Sequence, residues 1–168
     1  SKNRLLALQS IPNMVSALQG GQADTAILPS TVAVPMMDRG DAKIVGWAGD
    51  ETPWQLGALF TSPKMIDTRK ATVERFVRAY RKGVAAYDVA FQKKTDAAAT
   101  DKALDILAKY TEQQKGAIAA GLPYIEPEAR FSAKDIAKQV AYWQAQGQAD
   151  KSVEAKDIVV TTFVSSID

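Results

Sequence analysis

The chain has neither cysteine nor histidine in its 168 residues. Without a thiol or an imidazole it cannot supply a Ser-His-Asp triad, a cysteine nucleophile, a histidine general base or an ordinary zinc site. Carboxylate-only chemistry is formally open, and Asp50 and Glu51 are adjacent acids. They fall on a loop pattern, Gly49-Asp50-Glu51-Thr52-Pro53, where carboxylates are solvated, whereas acid–base catalysis favours burial. We therefore expect no enzyme activity, no catalytic residue, no metal and no cofactor. An excess of one charge is also lacking. Lys and Arg total 21 against 19 Asp and Glu, a net charge of +2, and the signs are interspersed. No basic stripe marks a nucleic-acid or membrane-surface partner, and no apolar run approaches the roughly 18 residues of a membrane span.

What remains is an ordinary globular composition, 46% hydrophobic and 24% charged. Two kinds of pattern share it. Ile11, Met14, Val15 and Leu18 recur at helical spacing, with Ser10 as the expected N-cap, Pro12 in the first turn and Gly20-Gly21 as the stop. A second helix is expected over 30–38, ending at the turn Arg39-Gly40-Asp41. Beyond Ser62-Pro63 the chain turns helical. Val73, Phe76, Val77, Tyr80, Val84, Tyr87 and Phe91 form a stripe over 68–91 that should be core. Further helices are expected over 99–110, from Thr111-Glu112 to Gly121-Leu122-Pro123, and from Ser132 to Gly147. Short apolar runs at 5–8, 24–28, 43–48 and 54–61 read as strands, because they are bounded by turn residues and three of them carry β-branched or aromatic side chains. Strands alternating with helices predict a mainly parallel sheet in an α/β fold.

The stretch Ala17-Leu18-Gln19-Gly20-Gly21-Gln22-Ala23-Asp24-Thr25-Ala26-Ile27-Leu28-Pro29-Ser30-Thr31 joins a helix, a glycine stop, a short strand and a new helix start. It resembles the "A-L-x-x-G-x-x-D-A" segment of bacterial solute-binding proteins of ABC importers, in the nitrate/sulfonate/taurine and thiamine-pyrimidine-precursor group. Asp157-Ile158-Val159-Val160-Thr161-Thr162-Phe163 looks like that group's "D-(I/V)-V-x-T-x-F" ending. The resemblance implies a two-lobed type II periplasmic-binding-protein fold with a helix-rich C-terminal portion. In it, 1–52 would belong to the second lobe, and 53–168 would supply a return strand and the helical part of the first. Whole members are longer, so the N-terminal half is expected to be missing. Strand edges left open in this way predict pairing with that half or with a second copy of the chain.

The implied function is extracytoplasmic capture of a small organic anion or heterocycle, with delivery to an ABC permease in the membrane. The implied location is periplasmic or lipid-anchored. Ligand contacts are expected at Pro29, Ser30 and Thr31, where a helix starts at the end of a strand. Asp50, Glu51 and Thr52, on the crossing between lobes, and Trp54 and Gln55 beside it complete the set. Ser30 stands where many relatives carry an acid, which argues against a cationic solute. Apolar walls at Ile27, Leu28 and Trp54 favour an organic one. The ligand-sensing effector domain of a LysR-type regulator shares the architecture and is the alternative, although such regulators end sooner after the return strand. The pyrimidine-synthase relatives are enzymes that use a histidine, which this chain lacks. A purely helical interaction domain fits the apolar runs of the first third poorly.

Overall fold

The computed structural model describes residues 4–52 and 55–168. It is helical. The helices are α1 (Ile11–Gln19), α2 (Ser30–Asp38), α3 (Ala48–Glu51), α4 (Pro63–Thr68) and α5 (Lys70–Tyr87). A π-helical turn (Asp88–Lys93) follows, then α6 (Ala97–Thr111), α7 (Lys115–Ala120), α8 (Ala133–Ala145) and α9 (Ala155–Ile158).

The expected α/β architecture is not present. About 55% of the chain is helical and 1% is strand, which overturns the two-lobed type II periplasmic-binding fold. Among the described residues the one β feature outside named strands is an isolated parallel bridge between Phe131 and Ser166. Among the described residues the runs read as strands have no regular structure apart from Ala48, which begins α3, and no sheet forms from them. Their outward side chains are nearly bare: Leu5 is 95% exposed, Ile27 87%, Val45 92%, Leu56 89% and Phe60 91%. Among the described residues, no backbone hydrogen bond joins 25–28 or 42–47 to another segment. Apolar, β-branched composition suits a pleated surface, but a strand exists only where a neighbour accepts and donates its ladder.

The helices begin and end for local reasons. Ser10 caps α1 by accepting the Asn13 N–H at 3.3 Å, and Pro12 stands in the first turn. At the other end Gln22 N–H bonds the Ala17 carbonyl at 2.8 Å and Gly21 N–H the Leu18 carbonyl at 3.3 Å. This is a Schellman closure. It requires the positive φ of 69° that Gly21 adopts. The same closure ends α2, where Gly40 has φ 78°, with Asp41 N–H on Met36 O and Gly40 N–H on Met37 O, both at 2.9 Å.

The contacts divide the chain into two units, Ser1–Trp47 with Asp101–Pro123, and Ala48–Thr100 with Tyr124–Asp168. In the first, Ala17, Met36 and Ile118 are buried, and α2 packs on α7. In the second, Val73, Val77, Val84, Ala90 and Phe91 are buried, and the Tyr87 and Phe91 rings meet edge to face at 4.9 Å. The expected stripe is therefore core only in part. Phe76 and Tyr80, on the same helix, lie exposed.

Candidate functional site

The helix start that the sequence singles out lies in the first unit. Pro29 occupies the N-cap position of α2 and makes no side-chain cap. Ser30 is already helical, and its hydroxyl donates to the Gly121 carbonyl at 2.8 Å. Gly121 closes α7 and presses on the same place. A Cβ there would lie 2.6 Å from Thr31 Cα and 2.7 Å from Thr31 N. The backbone of Pro29, Ser30 and Thr31 thus sits against the end of α7. Of the expected apolar walls, Ile27 is exposed and Leu28 is half-buried. Trp54 lies outside the described residues.

Asp50 and Glu51 form the exposed end of the one-turn helix α3, and Thr52 follows with its N–H on the Ala48 carbonyl at 3.0 Å. No hydrogen bond brings these three to Gln55. Gln55 instead docks on the start of α8, within the second unit. Its N–H donates to Asp135 Oδ2 at 2.7 Å, its side-chain oxygen accepts the Ser132 N–H at 2.9 Å, and its carbonyl accepts from Gln139 Nε2 at 2.9 Å. Gln139 Nε2 also donates to Asp135 Oδ2 at 2.9 Å. Asp135 is buried, and these amide donors surround its carboxylate.

The rest of this helix start is taken by Ser166 and Asp168. A helix leaves its first amides without intrahelical partners. Here the Ala133 N–H donates to Ser166 Oγ at 3.1 Å, the Lys134 N–H to Asp168 Oδ1 at 3.3 Å and the Asp135 N–H to Ser132 Oγ at 3.0 Å. The Ser132 hydroxyl in turn donates to Asp168 Oδ2 at 2.6 Å, and Ile167 N–H bonds the Phe131 carbonyl at 2.9 Å. All four amides from Ser132 to Asp135 are satisfied internally. Ser132 was legible only as a helix start, and Asp135, Gln139, Ser166 and Asp168 were not singled out. Their partners are distant in sequence.

The hydroxyls of Ser132 and then Ser166 hold the Asp168 carboxyl at about 2, below its ordinary 3.8. A folded-state pKa below the unfolded one means that the carboxylate stabilises the fold above about pH 4 and loses that effect as pH falls toward 2. Amide exchange in the first turn of α8 should therefore accelerate across pH 4 to 2 in the natural chain. In Asp168→Asn that step should be absent. An identical acid profile in both proteins would show that Asp168 does not cap α8.

A second polar knot lies in the π-helical turn. Asp88 is buried, with Lys93 Nζ at 2.8 Å from Oδ2 and Gln92 Nε2 donating to Oδ1 at 2.9 Å. The Lys93 bond, followed by that of Gln92, lowers the Asp88 pKa. Gln92 Oε1 accepts the Ile125 N–H at 2.9 Å, and the Thr100 hydroxyl donates to the Ala90 carbonyl at 2.6 Å. π-Turns are frequent at functional sites, but each polar group here is matched by a protein partner. Among the described residues, no group of three or more acidic side chains could hold a metal ion. No helix among them is long and apolar enough to cross a membrane.

Comparison of the chain with protein-family models, with curated proteins and with solved structures returns no match. The functional reading rests on the residues themselves.

Proposed function

We propose that this chain takes part in extracytoplasmic capture of a small organic anion or heterocycle for an ABC importer, as a carrier and not as an enzyme. The observation that carries this reading is the segment from α1 to α2. Its sequence resembles the ligand-bearing segment of the sulfonate, nitrate and pyrimidine-precursor carriers. Locally it keeps a glycine-closed helix and a helix start bearing two hydroxyls, joined by residues without regular structure. The reading does not rest on a sheet. The absence of histidine and cysteine supports a binding role over catalysis.

The same geometry sets a condition. The Ser30 hydroxyl is engaged by Gly121, so a solute bound at the start of α2 competes with the end of α7. Titrating the protein with taurine, ethanesulfonate, nitrate and an aminopyrimidine, read by thermal unfolding and calorimetry, tests the reading. One of them at a hundred times its Kd should stabilise the fold by about 2.7 kcal/mol, and Ser30→Ala should weaken its binding. If all four leave both the melting temperature and the heat signal unchanged, the carrier reading fails.

A further inference from the structure

We propose that the bare face of α5 is a docking surface for the acidic headgroup layer of a lipid bilayer, with Arg75, Arg78 and Lys82 meeting lipid phosphates and Phe76 and Tyr80 entering the boundary beside them. This goes beyond solute capture and does not rest on it.

The first observation is charge. α5 carries Lys70, Arg75, Arg78, Arg81 and Lys82 against the single acid Glu74, a surplus of four positive charges in a chain whose net charge is +2. The near-balance of the whole sequence conceals this stripe, which corrects the reading of its charges as evenly interspersed. All five cations are exposed, and among the described residues none of them forms an ion pair. Arg75 Nη2 donates one hydrogen bond, to the Thr72 hydroxyl at 3.2 Å. Unmatched charges of one sign along about 27 Å of helix fit an anionic partner.

The second observation is how the side chains are sorted around the helix. Val73, Val77 and Val84 share one line and are buried. Arg75, Arg78 and Lys82, at i, i+3 and i+7, form a second line on the solvent side. Phe76 and Tyr80, at i and i+4, form a third, 57% and 41% exposed. Ala79 and Gly83 lie exposed between the cations and the rings, and a Cβ added to Gly83 would meet nothing within 4 Å.

Together these observations select the partner. A helix lying on a membrane surface turns aromatic side chains to the acyl boundary and keeps cations beside them, whose long stems reach the headgroups. The separate aromatic and cationic lines of α5 repeat that layering, and tyrosine suits a boundary that is apolar on one side and wet on the other. Single-stranded nucleic acid is held instead in a basic groove whose aromatic rings stack on successive bases. α5 offers a convex surface, bare on most of its circumference, and its rings stand apart from its cations.

Co-sedimentation with vesicles tests this. The natural chain should bind vesicles of equal parts phosphatidylglycerol and phosphatidylcholine, leave pure phosphatidylcholine in solution, and be released from the acidic vesicles as salt rises. A cation near an acidic surface strengthens binding about fivefold, so Arg75→Gln combined with Arg78→Gln and Lys82→Gln should weaken it about a hundredfold with unchanged helical circular dichroism. Because the chain has no cysteine, Ala79→Cys carrying a nitrobenzoxadiazole dye reports this face alone. Its emission should shift to the blue on acidic vesicles, whereas the same dye on Gln113→Cys, exposed beyond the end of α6, should not shift. A natural chain that ignores acidic vesicles, or binds neutral ones equally well, overturns the proposal. So does a triple variant that binds as the natural chain does, an unshifted dye at position 79, or binding to oligothymidine or a DNA duplex that exceeds vesicle binding at equal phosphate concentration.

Discussion

Replacing Asp135 by alanine should cost about 2–3 kcal/mol and loosen the junction between Gln55 and α8. The carboxylate accepts the Gln55 N–H at 2.7 Å and Gln139 Nε2 at 2.9 Å through one oxygen, and Asp135 is buried. Hydrogen bonds to a charged acceptor contribute about 1.5–3 kcal/mol, and donors left unmatched by the truncation add their desolvation cost. Asp135→Asn keeps one acceptor oxygen and should lose about half as much by the same reasoning. Urea unfolding supplies the energies from the midpoint at constant slope. Exchange of the Gln55 amide locates the damage, since it should lose protection in the alanine variant before the amides of α5 do. An alanine variant with an unmoved midpoint would show that Gln55 is not seated on α8 in solution.

Gly121→Ala should destabilise the first unit by about 1–3 kcal/mol, the cost of adding a methyl group where no space exists. The backbone of Gly121 has φ −121° and ψ 23°, which does not demand glycine. The cost comes from its surroundings. The new Cβ would meet Thr31 Cα at 2.6 Å, Thr31 N at 2.7 Å and the Ser30 carbonyl carbon at 3.0 Å. All three are backbone atoms of the α2 start and cannot swing away as the tip of a side chain would. Relief requires α7 to move off α2, which also stretches the bond from the Ser30 hydroxyl to the Gly121 carbonyl. Thermal unfolding with amide exchange at Ile118 and Met36 should show the loss. If the alanine variant is as stable as the natural chain, the α2 start is open, and a solute could reach Ser30 without displacing anything.

The parts of the fold that were legible share one property: their determinants lie within a few residues of one another. α1 from Ser10 to the Gly20-Gly21 stop, α2 over 30–38, and α8 between Ser132 and Gly147 all follow from caps, closures and apolar spacing. Part of the stripe on α5 was misread for the same reason. Spacing places Phe76 and Tyr80 on the face of Val73 and Val77, but only packed neighbours decide how wide a stripe is covered. The strand readings at 5–8, 24–28, 43–48 and, over its described residues 55–61, 54–61 failed more completely. A helix closes its hydrogen bonds within itself, whereas a strand needs a second segment whose presence its own residues do not encode.

The candidate site divides along the same line. Ser30 was visible as a residue at a helix start, and its bond to Gly121 was not. Gln55 was singled out for a cleft, yet its amide and carbonyl groups are spent on α8.

By itself the sequence determined where α1, α2 and α8 start and stop, but not α3, α4 or α9. It also excluded histidine, thiol and zinc chemistry, because composition and local capping are complete within the chain. Only the tertiary structure decided that the runs read as strands form no sheet among the described residues, that α7 seals the α2 start, and that Gln55, Ser166 and Asp168 converge on α8. Each of these outcomes depends on which distant backbone groups find one another, and residues far apart in sequence carry no local trace of that encounter.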